Sequence, residues 1–130
     1  MSSAVQSAPS TFALLPFEEK LDRFAQLAVR VGLNLQPGQE LVISASTEMV
    51  PLVRRITEHA YKAGAHLVTT LYADDETSLA RFLYAPDESF DKAPKWLADG
   101  IAAAFASGAA RLALAGANPA LLARETLAGS

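Results

Sequence analysis

Short apolar segments alternate with amphipathic ones along this chain, and this alternation constrains the fold more than any other feature. Strands are predicted near residues 40–45, 66–72 and 110–115, where apolar side chains concentrate. Helices are predicted before, between and after these strands. Such alternation implies right-handed crossovers between parallel strands. The predicted fold class is therefore α/β, a three-layer fold with a small, mostly parallel sheet flanked by helices.

The first two helices are placed by apolar stripes and by proline. One is predicted over residues 17–32, because its apolar side chains recur at spacings of three and four. The next is predicted over residues 48–63, with Pro51 in its first turn, where a missing N–H is tolerated. We expect the sides of these helices that carry Phe24 and Ile56 to pack on the sheet.

Strands covered on both faces bury successive residues, and this rule gives a predicted core. Its strand members are Leu41, Ile43, Leu67, Val68, Leu112 and Leu114. Polar residues at Ser44–Thr47 offer N-caps for the second helix, and Asp74–Thr77 has the pattern of a cap with an acidic first turn. Asn118 and Pro119 predict the start of a last helix.

Composition narrows the class of protein. The 130 residues fit one domain, which we place at residues 17–130 behind a mobile tail of residues 1–16. A net charge of −3 disfavours a nucleic-acid partner, and no apolar run is long enough for a membrane span. There is no cysteine, which removes disulfides and thiolate sites and fits a cytoplasmic location.

Ligands of open α/β sheets bind beyond the carboxyl ends of the strands. Here those ends are Ser44–Thr47, Ala73–Glu76 and Gly116–Asn118. The first and third could hold an anion at a helix N-terminus, but neither has a glycine-rich fingerprint, which favours ordinary capping.

Residues with catalytic or metal-binding chemistry are few. His59 and His66 are the only histidines, and their spacing of seven does not suit a zinc pair on one helix. The acids Asp74, Asp75 and Glu76 are better explained as a solvated helix start than as a calcium or magnesium loop. The hydroxyls near strand ends lack a nucleophile elbow; they are Ser44, Ser46, Thr47, Thr69 and Thr70. We therefore predict no catalytic, cofactor-binding or metal-ligating residue on this chain.

Four segments carry a resemblance to a known family. They are the run AVRVGLNLQPGQ at residues 28–39, YKAGA at 61–65, PKWLADG at 94–100 and the sequence GANP at 116–119. In order and spacing, residues 17–125 resemble the amino-terminal region of the thermophilic dimetal aminopeptidases, the aminopeptidase T and aminopeptidase S group. The resemblance implies an α/β amino-terminal domain in an exopeptidase that releases amino-terminal residues from peptides.

The resemblance also implies where the chemistry resides. Family members use two divalent metal ions, zinc, cobalt or magnesium, held by glutamates, histidines and an aspartate of a larger carboxy-terminal domain. That domain has no counterpart in these residues. The resemblance therefore implies a domain that covers the catalytic domain, binds no metal and meets peptide substrate only through the missing domain. A narrow parallel sheet leaves an unpaired edge, so we also expect a homo-oligomer.

Two other classes of function remain open from the residues themselves. One is a free-standing small-molecule or nucleotide-binding α/β module that uses the loops at Ser44–Thr47 and Gly116–Pro119. The other is a structural or dimerisation domain without a ligand.

Overall fold

The computed structural model describes residues 16–114, which form four α-helices and three strands. Helix α1 is Phe17–Leu27 and runs into a π-helical turn at Ala28–Gly32; strand β1 is Glu40–Ser46; a 3₁₀ turn at Thr47–Met49 leads into α2 at Val50–Lys62; strand β2 is Leu67–Ala73; α3 is Asp75–Tyr84; a 3₁₀ turn spans Asp87–Ser89; α4 is Lys95–Ala106; and β3 is Ala110–Leu114. Residues 1–15 of the tail predicted at 1–16, and the helix predicted to start at Asn118 and Pro119, lie outside the described residues.

The three strands form one parallel sheet in the order β2-β1-β3. Leu41 of β1 pairs with Val68 of β2 on one side and with Ala110 of β3 on the other. The predicted α/β class and parallel pairing are confirmed. Because β1 is central, the chain crosses first to one edge of the sheet and then to the other, so right-handed crossovers place helices on both faces.

One face of the sheet is closed by α1 and α2. Ile43 of β1 and Ile56 of α2 belong to the same buried cluster there, and both side chains are fully buried. Phe24 of α1 packs at the margin of the same cluster. The other buried members of this core are Leu21, Ala25, Val29, Leu35, Leu41, Ala45, Met49, Leu52, Val53 and Ala60. The predicted packing of the first two helices on the sheet is confirmed.

The outer strands are less buried than predicted. The prediction was right for Leu41 and Ile43, but Leu67 is 47% exposed. Val68, Leu112 and Leu114 are only partly buried, at the margin of the core. The rule of burial on both faces applies to a central strand, and here only β1 has neighbours on both edges. Strand β3 and the first four residues of β2 alternate instead between exposed and partly buried positions, as half-covered strands do.

The end of the first helix also differs from a regular α-helix. In its last turn the Leu33 N–H donates to the Ala28 carbonyl at 2.8 Å, which widens the turn before the loop.

Within residues 16–114, every helix is too short or too polar to cross a lipid bilayer.

Candidate functional site

The carboxyl edge of the sheet is where a ligand site was predicted. Strands β1 and β2 end together, because Ser46 pairs with Ala73 in the parallel register. This register brings two of the predicted loops into contact, and the Thr47 hydroxyl lies 3.5 Å from Asp74 Oδ1. The third loop, Gly116–Asn118, lies outside the described residues.

Asp74 acts as the N-cap of α3, as predicted. Its Oδ2 accepts hydrogen bonds from the Thr77 backbone N–H at 3.0 Å and from the Thr77 hydroxyl at 2.9 Å. These bonds, helped by Thr47, favour the ionised form and hold the pKa of Asp74 below its ordinary value of 3.8. Its carboxylate is committed to its own helix, so it is a poor candidate for a metal ligand.

The start of α2 does not follow the capping prediction. Neither Ser46 nor Met49 makes a side-chain capping hydrogen bond. A 3₁₀ turn at Thr47–Met49 leads into the helix instead, with Pro51 in its first turn as predicted. The Ser46 hydroxyl is buried and lacks a hydrogen-bond partner among the described residues. Burying a hydroxyl without a hydrogen-bond partner lowers the stability of the fold. Ser46 is therefore the polar residue at this edge whose burial most needs an explanation, and a bound ligand would provide one.

A cleft of about 520 Å³ opens beside Ser46 on the face of the sheet opposite the α1–α2 core. Ser44 and Ser46 line it together with apolar side chains, among them Leu71 of β2 and Ile101 of α4. In the described part of the chain, neither serine makes a hydrogen bond to a histidine or a carboxylate that could act as a base. Nucleophilic catalysis requires such a base, so the cleft suits binding better than covalent chemistry.

His59 belongs to a network of polar contacts that joins α1 to α2. Its Nε2 lies 3.0 Å from Asp22 Oδ1, and the imidazole is 12% exposed. Arg55 lies 3.6 Å from the same Asp22 carboxylate and donates to Glu18 at 2.6 Å. The sequence analysis missed these partners, because a spacing of 37 residues between two helices leaves no local signal. This network stabilises helix packing on the closed side of the sheet.

His66 lies just before β2, where its side chain is exposed and its backbone N–H donates to the Gln39 carbonyl. Over residues 16–114, no three histidine or carboxylate side chains converge as a metal ion requires. His59 and Asp74 are each already hydrogen-bonded within the fold. The donors present in this part of the chain therefore do not fit a dimetal centre.

Two of the segments that carry the family resemblance, residues 28–39 and 61–65, build the amino-terminal edge of the sheet. The Gly38 N–H donates to the Gly64 carbonyl at 2.8 Å, and Gln39 Nε2 donates to the Gly108 carbonyl at 3.0 Å. The Val68 N–H of edge strand β2 donates to the Tyr61 hydroxyl at 3.0 Å. These contacts give the motif residues structural roles at the edge opposite to the predicted ligand loops.

The sheet face opposite the α1–α2 core, together with α4, forms what we call the open face. Helix α4 approaches strand residues Val42, Thr69 and Leu71 but has no fully buried residue. Trp96 at its start is 76% exposed, and Phe82 of the neighbouring helix α3 is 72% exposed. Sequence analysis placed Trp96 in a family motif but did not show which face the described residues leave exposed.

Comparison with known proteins agrees with this architecture. Wild-type AmpT from Thermus thermophilus, a solved structure, matches with a TM-score of 0.73 and 50% sequence identity, over 82% of this chain and 27% of that chain. Aminopeptidase T of Thermus thermophilus is 50% identical over 103 residues, 79% of this chain and 25% of that protein. Aminopeptidase AmpS of Bacillus subtilis is 43% identical over 106 residues, 82% of this chain and 26% of that protein.

The family model described as thermophilic metalloprotease (M29) matches residues 17–126. The chain therefore belongs to the M29 family of metalloproteases, as its sequence motifs indicated. It spans about a quarter of the length of the curated relatives it matches.

Proposed function

We propose that this chain is the amino-terminal domain of a metal-dependent aminopeptidase that releases amino-terminal residues from peptides. The observation that supports this most strongly is the 50% identity to an aminopeptidase over 79% of this chain but only 25% of that protein. Identity at this level over a structurally matched segment supports a shared role in the parent enzyme. The peptide substrate and the catalytic metals then belong to the remaining part of the polypeptide.

In this proposal the domain is not itself catalytic. A metallopeptidase activates water on metal ions held by imidazoles and carboxylates, and two divalent ions such as zinc, cobalt or magnesium need a large set of such ligands. Of the candidate donors, His59 is bonded to Asp22 and Asp74 caps its own helix. The domain covers the catalytic domain and restricts access to it, while a homo-oligomeric state and a cytoplasmic location stay predictions.

Metal titration of the 130-residue chain tests the non-catalytic role. Calorimetry with zinc and with cobalt is expected to show no tight stoichiometric binding, because the donors do not converge. Turnover of a leucyl chromogenic substrate is expected to stay at the background rate. Chelator-sensitive leucine release that disappears in His59→Ala would place a complete site on this chain and refute the proposal.

A free-standing nucleotide-binding module is the second candidate, favoured by one observation. Ser46 has a buried, unpartnered hydroxyl at the carboxyl end of β1, beside the point where the strand order reverses. Under this alternative, ATP binds the chain and raises its melting temperature, and Ser46→Ala abolishes the effect. Under the aminopeptidase proposal, ATP is expected to leave the melting temperature unchanged both in the unsubstituted chain and in Ser46→Ala.

A further inference from the structure

Strand β2 has the composition of a strand that pairs readily with copies of itself. Within residues 16–114 it pairs with β1 only, so its other side is an edge of the sheet. Its sequence, LVTTLYA, has no charge, no proline and no glycine, and it is rich in β-branched residues. Segments of this kind add further strands when their edge is exposed.

The features that usually prevent strand addition are absent from β2 itself. They are a lysine or a proline on the edge strand, or a bulge that twists the strand away. The sequence of β2 contains neither lysine nor proline. Its register with β1 runs without interruption from the pair of Glu40 and Leu67 to the pair of Ser46 and Ala73, so the strand has no bulge. Any protection of this edge therefore comes from outside the strand.

The Tyr61 hydroxyl occupies part of this edge. It accepts the Val68 N–H at 3.0 Å, near the start of β2. Neighbouring strands lie about 4.8 Å apart, which leaves no room for a side-chain hydroxyl between β1 and β2. The hydroxyl therefore lies on the free side of β2, where it takes the place of the carbonyl oxygen of an added strand. The Val68 N–H has one hydrogen and cannot donate to both.

The ring of Tyr61 shortens the part of the edge that is open. Tyr61 is in the last turn of α2, and its ring extends from there to the strand, where it is 46% exposed. A strand approaching the start of β2 meets this ring before it reaches hydrogen-bonding distance. The edge beyond the ring is residues 69–73, and a short edge is a poor template for strand addition.

We propose that Tyr61 guards the β2 edge against addition of the β2 strand of a second copy. The homo-oligomer expected from the narrow sheet then forms through a different surface. This role of Tyr61 is independent of the proposed function, because it concerns only the packing of α2 against β2.

Tyr61→Phe tests the guard, because it removes the hydroxyl and leaves the ring free to turn away from the strand. Deuterium exchange of the Val68 amide, measured by NMR at low protein concentration, is expected to be about fivefold faster, the factor that corresponds to one ordinary hydrogen bond. At high concentration, sedimentation velocity is expected to show self-association about fivefold tighter than in the unsubstituted chain. The Val68 amide is then expected to be protected again, because it pairs with the second copy.

Tyr72→Phe is the matched control. It removes the same hydroxyl from a ring on β2 that is 45% exposed, but it leaves the bond between Tyr61 and Val68 in place. Amide exchange of Val68 and self-association are both expected to equal those of the unsubstituted chain. Urea unfolding of the two variants shows whether both are folded.

Self-association of Tyr61→Phe that is no tighter than that of Tyr72→Phe would overturn the proposal. Tighter association in which the Val68 amide still exchanges rapidly would also overturn it, because the copies would then meet elsewhere. The unsubstituted chain gives a test that needs no variant. Exchange of its Val68 amide at the rate of a fully exposed amide would show that the Tyr61 hydroxyl does not occupy the edge.

Discussion

Ile43 and Leu67 lie on neighbouring parallel strands, yet one is fully buried and the other is 47% exposed. The difference comes from position in the sheet rather than from side-chain chemistry, since both are large aliphatic residues. Ile43 is on the central strand and contacts the α1–α2 core, whereas Leu67 begins an edge strand. Stability at the residue scale therefore depends on strand order, which local sequence patterns do not contain.

Ile43→Ala is expected to lower the free energy of unfolding by about 2–5 kcal/mol, because it removes buried methyl groups and leaves a cavity. Leu67→Ala is the matched control and is expected to cost about 1 kcal/mol or less, because half of that side chain is already in water. Urea denaturation of both variants measures the difference. Equal losses would show that β2 is as enclosed as β1.

The ionised side chain of Asp74 makes the stability of the start of α3 depend on pH. Its pKa is lowered in the folded state by hydrogen bonds from Thr77, so its ionised form stabilises the fold above the unfolded pKa. That contribution is lost as the pH falls below about 3.8 and through the lowered folded pKa. Asp74→Ala is therefore expected to lower the melting temperature at neutral pH. At acid pH its melting temperature is expected to approach that of the unsubstituted chain.

Asp74→Asn provides the control for this pH dependence. The amide oxygen can still accept the capping hydrogen bonds but cannot titrate, so this variant keeps the cap without its acid-labile part. Melting temperatures measured between neutral pH and pH 3 compare the three proteins. A constant gap between the parent and Asp74→Ala across this range would contradict the account.

At the scale of elements, the loops at the amino-terminal edge hold the sheet in register. Gly64 follows α2 with a φ of +100°, and a Cβ at this position would lie 3.1 Å from Pro37 Cα. The turn at Pro37 thus packs directly against the end of α2. The two motif segments around Pro37 and Gly64 therefore limit each other's side-chain size by direct contact, although they are distant in sequence.

Gly64→Ala is expected to destabilise the chain by about 1–3 kcal/mol, because the substitution combines left-handed backbone with a close contact. Gly100→Ala is the matched control within α4, where an added Cβ meets nothing within 4 Å. It is expected to stabilise the chain by about 0.5–1 kcal/mol through helix propensity. Thermal or urea unfolding measures both, and a neutral Gly64→Ala would exclude the close approach of Pro37.

The elements themselves were predictable because their signals are local. Apolar periodicity, Pro51 and the Asp74–Thr77 cap placed helices and strands from sequence alone. The order of the strands, the partnership of His59 with Asp22 and the unpartnered Ser46 were not predictable. Each depends on which distant segments meet in the folded chain. Of the candidate site, the sequence predicted the loops but not the cleft that opens beside them.

At the scale of the whole molecule, the described residues form a sheet that is enclosed on one face and open on the other. The closed side carries the continuous core and the ion pairs between α1 and α2. The open face carries exposed aromatic side chains, including Trp96. This asymmetry, in a chain that spans a quarter of its relatives' length, supports the proposal that it is one part of a larger enzyme.

In the proposed function this chain is a working part of an aminopeptidase but has no active site of its own. The rate of leucine release from a leucyl chromogenic substrate tests this, measured for the 130-residue chain and for a joined protein. In the joined protein this chain replaces the matching quarter of Aminopeptidase T from Thermus thermophilus. We expect background turnover by the chain alone and chelator-sensitive turnover by the joined protein. Chelator-sensitive turnover by the chain alone, or a folded joined protein without activity, would contradict it.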